Sequence, residues 1–260
     1  MSALLLRLAA PLQSWGVDSK FDRRRTERIP TKSGVTGLVA AALGRRRNES
    51  IDDLRALKFG VRVDREGSQL RDFQTAKSIK SAYVTNRYYL ADAVFLAGFE
   101  GDEALLEKID SALCSPVFPL SLGRRSCPPE GRITLGIRAC KLADALRREP
   151  LQISEWAKTK AAANLRLRIS IDADDTDTGA YFKRDDPISF NREHREFGFR
   201  RIRELTAVNT DDLLNGSTVV LSEKNATTHD AMAEIDEHDP FIELKEEADT
   251  VVPVADSSER

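Results

Sequence analysis

The sequence predicts an α+β chain: a ferredoxin-like βαββαβ domain over residues 1–140 with an inserted hairpin at about 70–92, a smaller β-rich part over 141–221, and an acidic tail from 222. Three observations carry this expectation. Apolar segments follow one another in the order strand, helix, strand, strand, helix, strand. A long polar stretch, 67–90, separates the two middle strands. The charge balance reverses near the C-terminus: residues 222–260 hold twelve Asp/Glu against three Lys/Arg, so that segment carries −9 and the rest +7 within a total of −2.

Each element has its own local reason. ALLLRLA (3–9), apolar except for Arg7, reads as a buried strand. Residues 10–30 form a polar, basic insertion. Thr31 or Ser33 then caps a helix through Leu43, and Gly44 closes it. KFGVRVD (58–64) and DAVFLAGFE (92–100) read as strands, with GSQLRDFQTAKSIKSAYVTNRYYL (67–90) between them as a protruding arm too polar for a core. GDEALLEKIDSAL (101–113) has helical spacing with acids in its first turn, and RITLGIRA (132–139) returns to strand alternation. Residues 141–149 read as a short linking helix. Beyond Pro150, NLRLRISID and ELTAV are strand candidates, and the tail is too acidic to bury much apolar surface and is expected to be flexible. RRM-like domains share this element order and use the face of their sheet as a platform for single-stranded RNA.

Composition narrows the function. With 260 residues, 41% of them hydrophobic, the chain can bury a substantial core. The one candidate leader, ALLLRLAAPL (3–12), is broken by Arg7 and Pro11 and lacks a basic start, which implies a cytoplasmic protein with no membrane association. Cys114, Cys127 and Cys140 form no CxxC pair and have no neighbouring histidine, so neither a zinc site nor a disulfide framework is expected, and no metal or cofactor is implied. Residues 20–62 alone hold twelve Lys/Arg against five Asp/Glu; such a basic body calls for a polyanionic partner.

Four stretches supply candidate contacts to that partner. In LQSWGVDSKFDRRRTERIP (12–30), Gln13, an exposed-looking Trp15, and Phe21 are interleaved with Lys20, Arg23, Arg24, Arg25 and Arg28, combining base stacking with phosphate pairing. The alternative there is a solvated loop with Trp15 in the core. In IPTKSGVTGLVAAALG (29–44), the glycines follow the lysine, the reverse of a nucleotide-hydrolysing phosphate loop. Thr31, Lys32, Ser33 and Gly34 still form a helix start suited to an anion. A simple cap explains Thr31 or Ser33, but Lys32 at the positive end of a helix dipole calls for a negative neighbour. In SLGRRSCPP (121–129), Gly123 permits close approach while Arg124, Arg125 and Ser126 offer donors to phosphate oxygens. The 67–90 arm contributes Lys77, Lys80 and Arg87 beside Tyr83, Tyr88 and Tyr89.

Catalysis has thin support. Metal-independent RNA cleavage needs a general base, and His194 in FNREHREFGFR (190–200), beside Arg192, is the one histidine in a basic setting; a phosphate contact or surface role suits it equally. Paired carboxylates occur in DADDTD (172–177), which reads as a solvated loop.

Taken together, LRLAAPLQSWG, PTKSGVTGLVAAALG, RDFQTA and LGRRSCPP, in this order over the first 140 residues, resemble the CasD subunits of type I-E CRISPR Cascade complexes, members of the repeat-associated RNA-binding (RAMP) superfamily. A looser likeness persists around ISFNREHREFGFR, and the acidic extension has no counterpart in the family pattern. The resemblance implies a non-catalytic subunit that holds the 5′ handle of the crRNA, caps the CasC backbone beside the large CasA subunit, and meets target DNA only through the complex. It implies that the hairpin folds over the guide as a thumb, and that precursor cleavage belongs to another subunit. A type I-C relative that cuts precursor RNA supplies the alternative, a metal-independent endoribonuclease.

Overall fold

The fold is described from a computed structural model over residues 1–16, 23–77, 82–160 and 167–207, all of which lie within one unit spanning Met1–Asn225. It is mixed α/β, mostly strands with few helices. The strands are β1 (Ser2–Ala9), β2 (Leu12–Gln13), β3 (Arg23–Arg24), β4 (Lys58–Arg65), β5 (Ser68–Lys77), β6 (Ala82–Ala91), β7 (Val94–Gly101), β8 (Thr134–Arg138), β9 (Leu167–Asp172), β10 (Tyr181–Ser189) and β11 (Glu196–Ala207). The helices are α1 (Lys32–Ala42), α2 (Asp52–Arg55), α3 (Glu103–Cys114), α4 (Leu142–Arg148) and α5 (Glu155–Lys160). The acidic tail, Lys20, Phe21 and Lys80 lie outside the described residues.

A seven-stranded antiparallel sheet runs β10-β11-β9-β4-β7-β1-β8. Strand alternation splits its side chains between two cores. Leu4, Leu6 and Leu8 of β1, Phe59 and Val61 of β4, and Phe95 and Phe99 of β7 pack with Val35, Leu38 and Val39 of α1 and Leu106 and Ile109 of α3. Ala3 and Leu5 of β1, Leu96 of β7, and Ile169 and Ile171 of β9 face the other way and are covered by Leu142, Ala145 and Leu146 of α4. The apolar run in β1 is thus explained by burial on both faces.

One expectation is corrected here. Residues 142–148 are not a linker: α4 seals the second face of the sheet, so that face is no open platform for RNA. Gly98 makes this seal possible, since a Cβ there would meet Leu142 Cδ1 at 2.6 Å. Beneath α4, Arg62 is fully buried with Asp64, its Nε 2.6 Å from Oδ1, and donates to the carbonyls of Leu146, Glu149 and Pro150 at the helix end. Orphan carbonyls of the last turn are satisfied by a cation suited to that end of the dipole. The 172–177 run divides: Asp172 ends β9 and is turned inward, while the residues after it form the solvated loop expected, with Asp174, Asp175 and Asp177 pairing to Lys58, Arg201 and Arg203 at its surface. β10, α2 and α5 carry no sequence pattern strong enough to predict them.

The predicted arm is a hairpin, β5 paired with β6 in antiparallel register from Ser68↔Ala91 to Lys77↔Ala82. It belongs to a second sheet in which β6 also pairs with β2 and, in parallel, with β3. Leu70, Phe73, Tyr83 and Val84 are exposed along it. An arm with this much apolar surface in water has little of its own core to hold it, so its foot decides its position.

Candidate nucleic-acid interface

The N-terminus of α1 is the first predicted anion site, and its anions are the protein's own. Thr31 caps the helix, accepting from Gly34 N at 3.2 Å. The Lys32 backbone N–H donates to Asp185 Oδ2 at 3.0 Å, and its ammonium reaches Asp172 Oδ2 at 3.2 Å. Arg200 completes the group, donating to Asp185 at 2.6 and 3.0 Å and to Asp172. Two buried cations face two buried carboxylates, so the cation at the positive end of the dipole is compensated internally. This corrects the expectation that Thr31 to Gly34 are open to a phosphate. Burial alone would lower the Arg200 pKa; the two carboxylates outweigh it and hold it raised.

Trp15 is corrected as well. It is fully buried, with its ring against Gly34, where a Cβ would lie 2.8 Å from Trp15 Cε3. Its indole N–H donates to Gln13 Oε1 at 3.1 Å, and the Gln13 amide donates to the carbonyls of Leu8 and Ala93. Gln13 is itself fully buried. Gly34 therefore serves Trp15, and neither ring face nor amide is presented to a base. The side-chain polar contacts of both residues are consumed inside the protein, the indole on Gln13 and the amide on the ends of β1 and of the turn before β7.

The Gly123 loop sits directly outside this joint. Gly123 has φ +91, and a Cβ on it would lie 1.6 Å from Ser14 O, so only glycine fits. Ser14 N donates to Leu122 O, and the loop closes on itself through Leu122 N to Cys127 O and Cys127 N to Arg124 O. Arg124 is half-buried and turned toward the protein: Nη1 donates to Tyr88 O at 3.1 Å, Nη2 to Arg24 O at 2.6 Å, and its guanidinium lies 4.6 Å from the Tyr89 ring centroid. Burial pushes the Tyr89 hydroxyl up, but hydrogen bonds with Ser126 and Arg124 and the arginine's charge outweigh it and leave it below the ordinary tyrosine range. Burial pushes the Cys127 thiol up.

The structure thus brings one group of the predicted residues together: Gln13, Trp15, Arg24, Gly123, Arg124 and Ser126 share a single joint between the core and the foot of the hairpin. Arg23, Arg24, Arg25, Arg28, Arg125 and Ser126 are exposed around it. Arg87 is half-buried, opposite Asp72 in β5 and beside Arg24 in β3, and Lys77 is exposed at the far end of β5. Ser33 is half-buried in the first turn of α1.

Arg192 and His194 are not part of this group. They are exposed on the loop between β10 and β11, whose Phe190 packs near Gly37 in the middle of α1. Burial and the charge of Arg47, beyond the C-terminal end of that helix, lower the pKa of the neighbouring Arg195. Sequence reading missed Ser14, whose backbone receives Gly123, and it did not distinguish Tyr89, buried at the hairpin foot, from the exposed Tyr83. Among the described residues no group of three or more His, Cys, Asp or Glu is arranged to hold a metal ion, and no helix is long and apolar enough to cross a membrane.

The chain is 33% identical over 167 residues to CRISPR system Cascade subunit CasD of Escherichia coli (strain K12), covering 55% of this chain and 73% of that one. A solved structure titled "CRISPR RNA-guided surveillance complex" has a chain 33% identical with a TM-score of 0.67, covering 82% of this chain and 97% of its own. Another, "Crystal structure of Cas protein", is 40% identical with a TM-score of 0.65, covering 81% and 97%. The family described as CRISPR-associated protein (Cas_Cas5) matches residues 3–203, and the chain belongs to that family.

Proposed function

We propose that this chain is the crRNA-binding subunit of a type I-E Cascade surveillance complex in CRISPR antiviral defence, holding the 5′ handle of the crRNA without cutting it. The observation that carries the proposal is the rim of exposed arginines, Arg23, Arg24, Arg25, Arg28 and Arg125, around a rigid glycine–arginine loop at the foot of a projecting hairpin, in a chain of the Cas5 family. Arginines on a fixed rim pair with phosphates, and the hairpin's exposed Phe73 and Tyr83 offer faces for base stacking. Ser126, Lys77 and Arg87 extend the same surface.

The strand order β8-β1-β7-β4 with α1 and α3 on one face supports reading the first 140 residues as a ferredoxin-like core. In that reading β9–β11 are the smaller β-rich part over 141–221, hydrogen-bonded to β4 through β9, and 222–260 is a separate acidic segment. The subunit caps a CasC backbone beside CasA in the cytoplasm, and touches target DNA only through the complex. Its binding role needs no cofactor. His194, on which an endoribonuclease reading would rest, lies on the β10–β11 loop beside the middle of α1 and not at the Gly123 joint, which favours binding over cleavage.

Affinity purification of the tagged chain from its native host, followed by sequencing of bound RNA, tests this. The expected outcome is co-purifying backbone and large subunits with RNAs sharing one repeat-derived 5′ end. Recovery of RNA with no common 5′ end, or cleavage of repeat hairpins by the purified chain alone, would overturn it.

A further inference from the structure

We infer that Arg124 is a positioning residue that locks the foot of the β5–β6 hairpin to the basic segment, and that RNA phosphates are met by its neighbour Arg125 and by Arg23, Arg25 and Arg28. The inference rests on the RNA-binding reading above and deepens it by dividing the arginines of one surface into a clamp and contacts.

The bonding of the side chain argues for this. Among the described residues, β3 pairs with β6 through Arg23↔Asn86 and Arg24↔Arg87. Two residue pairs hold a strand weakly against fraying. Arg124 adds a cross-brace: one guanidinium nitrogen donates to Tyr88 O in β6, the other to Arg24 O in β3, and the plane stacks near the Tyr89 ring. Tyr88 O also accepts from Ser14 Oγ at 3.3 Å, so four segments converge there. Turning Arg124 outward to a phosphate would strip both carbonyls of their charged donor and forfeit the ring contact. Arg125 is under no such constraint: it follows Gly123 and Arg124 on the exposed side of the loop. A planar fork suits the clamp because one ammonium cannot serve two carbonyls on different strands and an aromatic face together.

The test compares Arg124→Ala, Arg124→Lys and Arg125→Ala in the full-length protein by two readouts. One is amide hydrogen exchange without RNA. The other is binding, across a salt series, of the RNA that co-purifies with the assembled complex, resynthesised with a 3′ fluorophore. Arg124→Ala is expected to raise exchange in 23–27 and 86–90. It should weaken binding by about tenfold through lost preorganisation while keeping the wild-type salt slope. Arg125→Ala should leave exchange unchanged and reduce the slope by about 0.7, the share of one phosphate contact on a single strand. Arg124→Lys keeps the charge and should fail to restore either exchange or affinity.

A slope lowered in Arg124→Ala with exchange unchanged would overturn the inference, as would recovery of wild-type affinity in Arg124→Lys. If the wild-type protein does not bind the RNA, the functional reading fails by itself. The exchange comparison still decides whether Arg124 braces the hairpin.

Discussion

Replacing Arg200 by alanine tests the claim that the helix start of α1 is neutralised from within. The wild-type group balances Lys32 and Arg200 against Asp172 and Asp185, with side-chain exposures of 7%, 9%, 14% and 3%. Without Arg200, Asp185 retains the Lys32 backbone N–H, and Asp172 retains the Lys32 ammonium and the Phe59 N–H. Two buried carboxylates would then share one cation. Removing one partner of a buried pair costs roughly 3–5 kcal/mol, and because Lys32 still compensates in part, the lower end, about 3 kcal/mol, is expected. For a domain of this size each kcal/mol lowers Tm by roughly 2–4 °C, so the expected loss is about 6–12 °C. Urea unfolding followed by circular dichroism should show a lowered midpoint at an unchanged slope. Arg200→Lys should recover only part of the loss, since one ammonium cannot span both carboxylates. A midpoint equivalent to less than about 1 kcal/mol from wild type would refute the buried network as the anion that Lys32 requires.

Three further outcomes are expected. Gly123→Ala must place a side chain at φ +91 against Ser14 O; beyond about 1–2 kcal/mol of backbone strain the loop must shift, so urea stability and RNA affinity should both fall, and a neutral result would contradict the packing described. A Trp156→Phe variant leaves buried Trp15 as the sole tryptophan; its emission should be blue, shielded from acrylamide and unquenched by RNA, whereas quenching by RNA would restore a stacking role. The pH profile should have two limbs. Asp53 is held low by its hydrogen bonds from Arg45, and Asp174 by its bond from Lys58, so their stabilisation is present above the ordinary carboxylate pKa of about 4 and is lost as pH falls through the lowered folded values. Tyr181 is pushed up to about 12, by burial first and by Glu204 second, so its stabilisation is present below about 10 and is lost as pH rises to about 12. An absorbance titration at alkaline pH should lose a tyrosinate step near about 12 in Tyr181→Phe and one below the ordinary tyrosine range in Tyr89→Phe.

Much of the frame was legible from local pattern. β1 announced itself as an apolar run interrupted only by Arg7, α1 by Thr31 and Gly44 at its ends, α3 by acids at its start, and the hairpin by a polar stretch between two strands. These signals lie within a few residues of one another, where backbone preference and periodicity act. The same locality explains the misreadings. Residues 142–148 look like any short amphipathic helix; that they seal the sheet follows from Gly98 and Ile169, which lie on other strands.

The family motifs, the basic body and the helix caps are properties of neighbouring residues, and the chain alone determined them. Only tertiary structure decided which charges face outward. Lys32 finds its carboxylates at Asp172 and Asp185, and Arg124 finds its carbonyls at Arg24 and Tyr88. A charge's role depends on what surrounds it in space, and burial turns an apparent phosphate ligand into a brace once distant strands supply its partners.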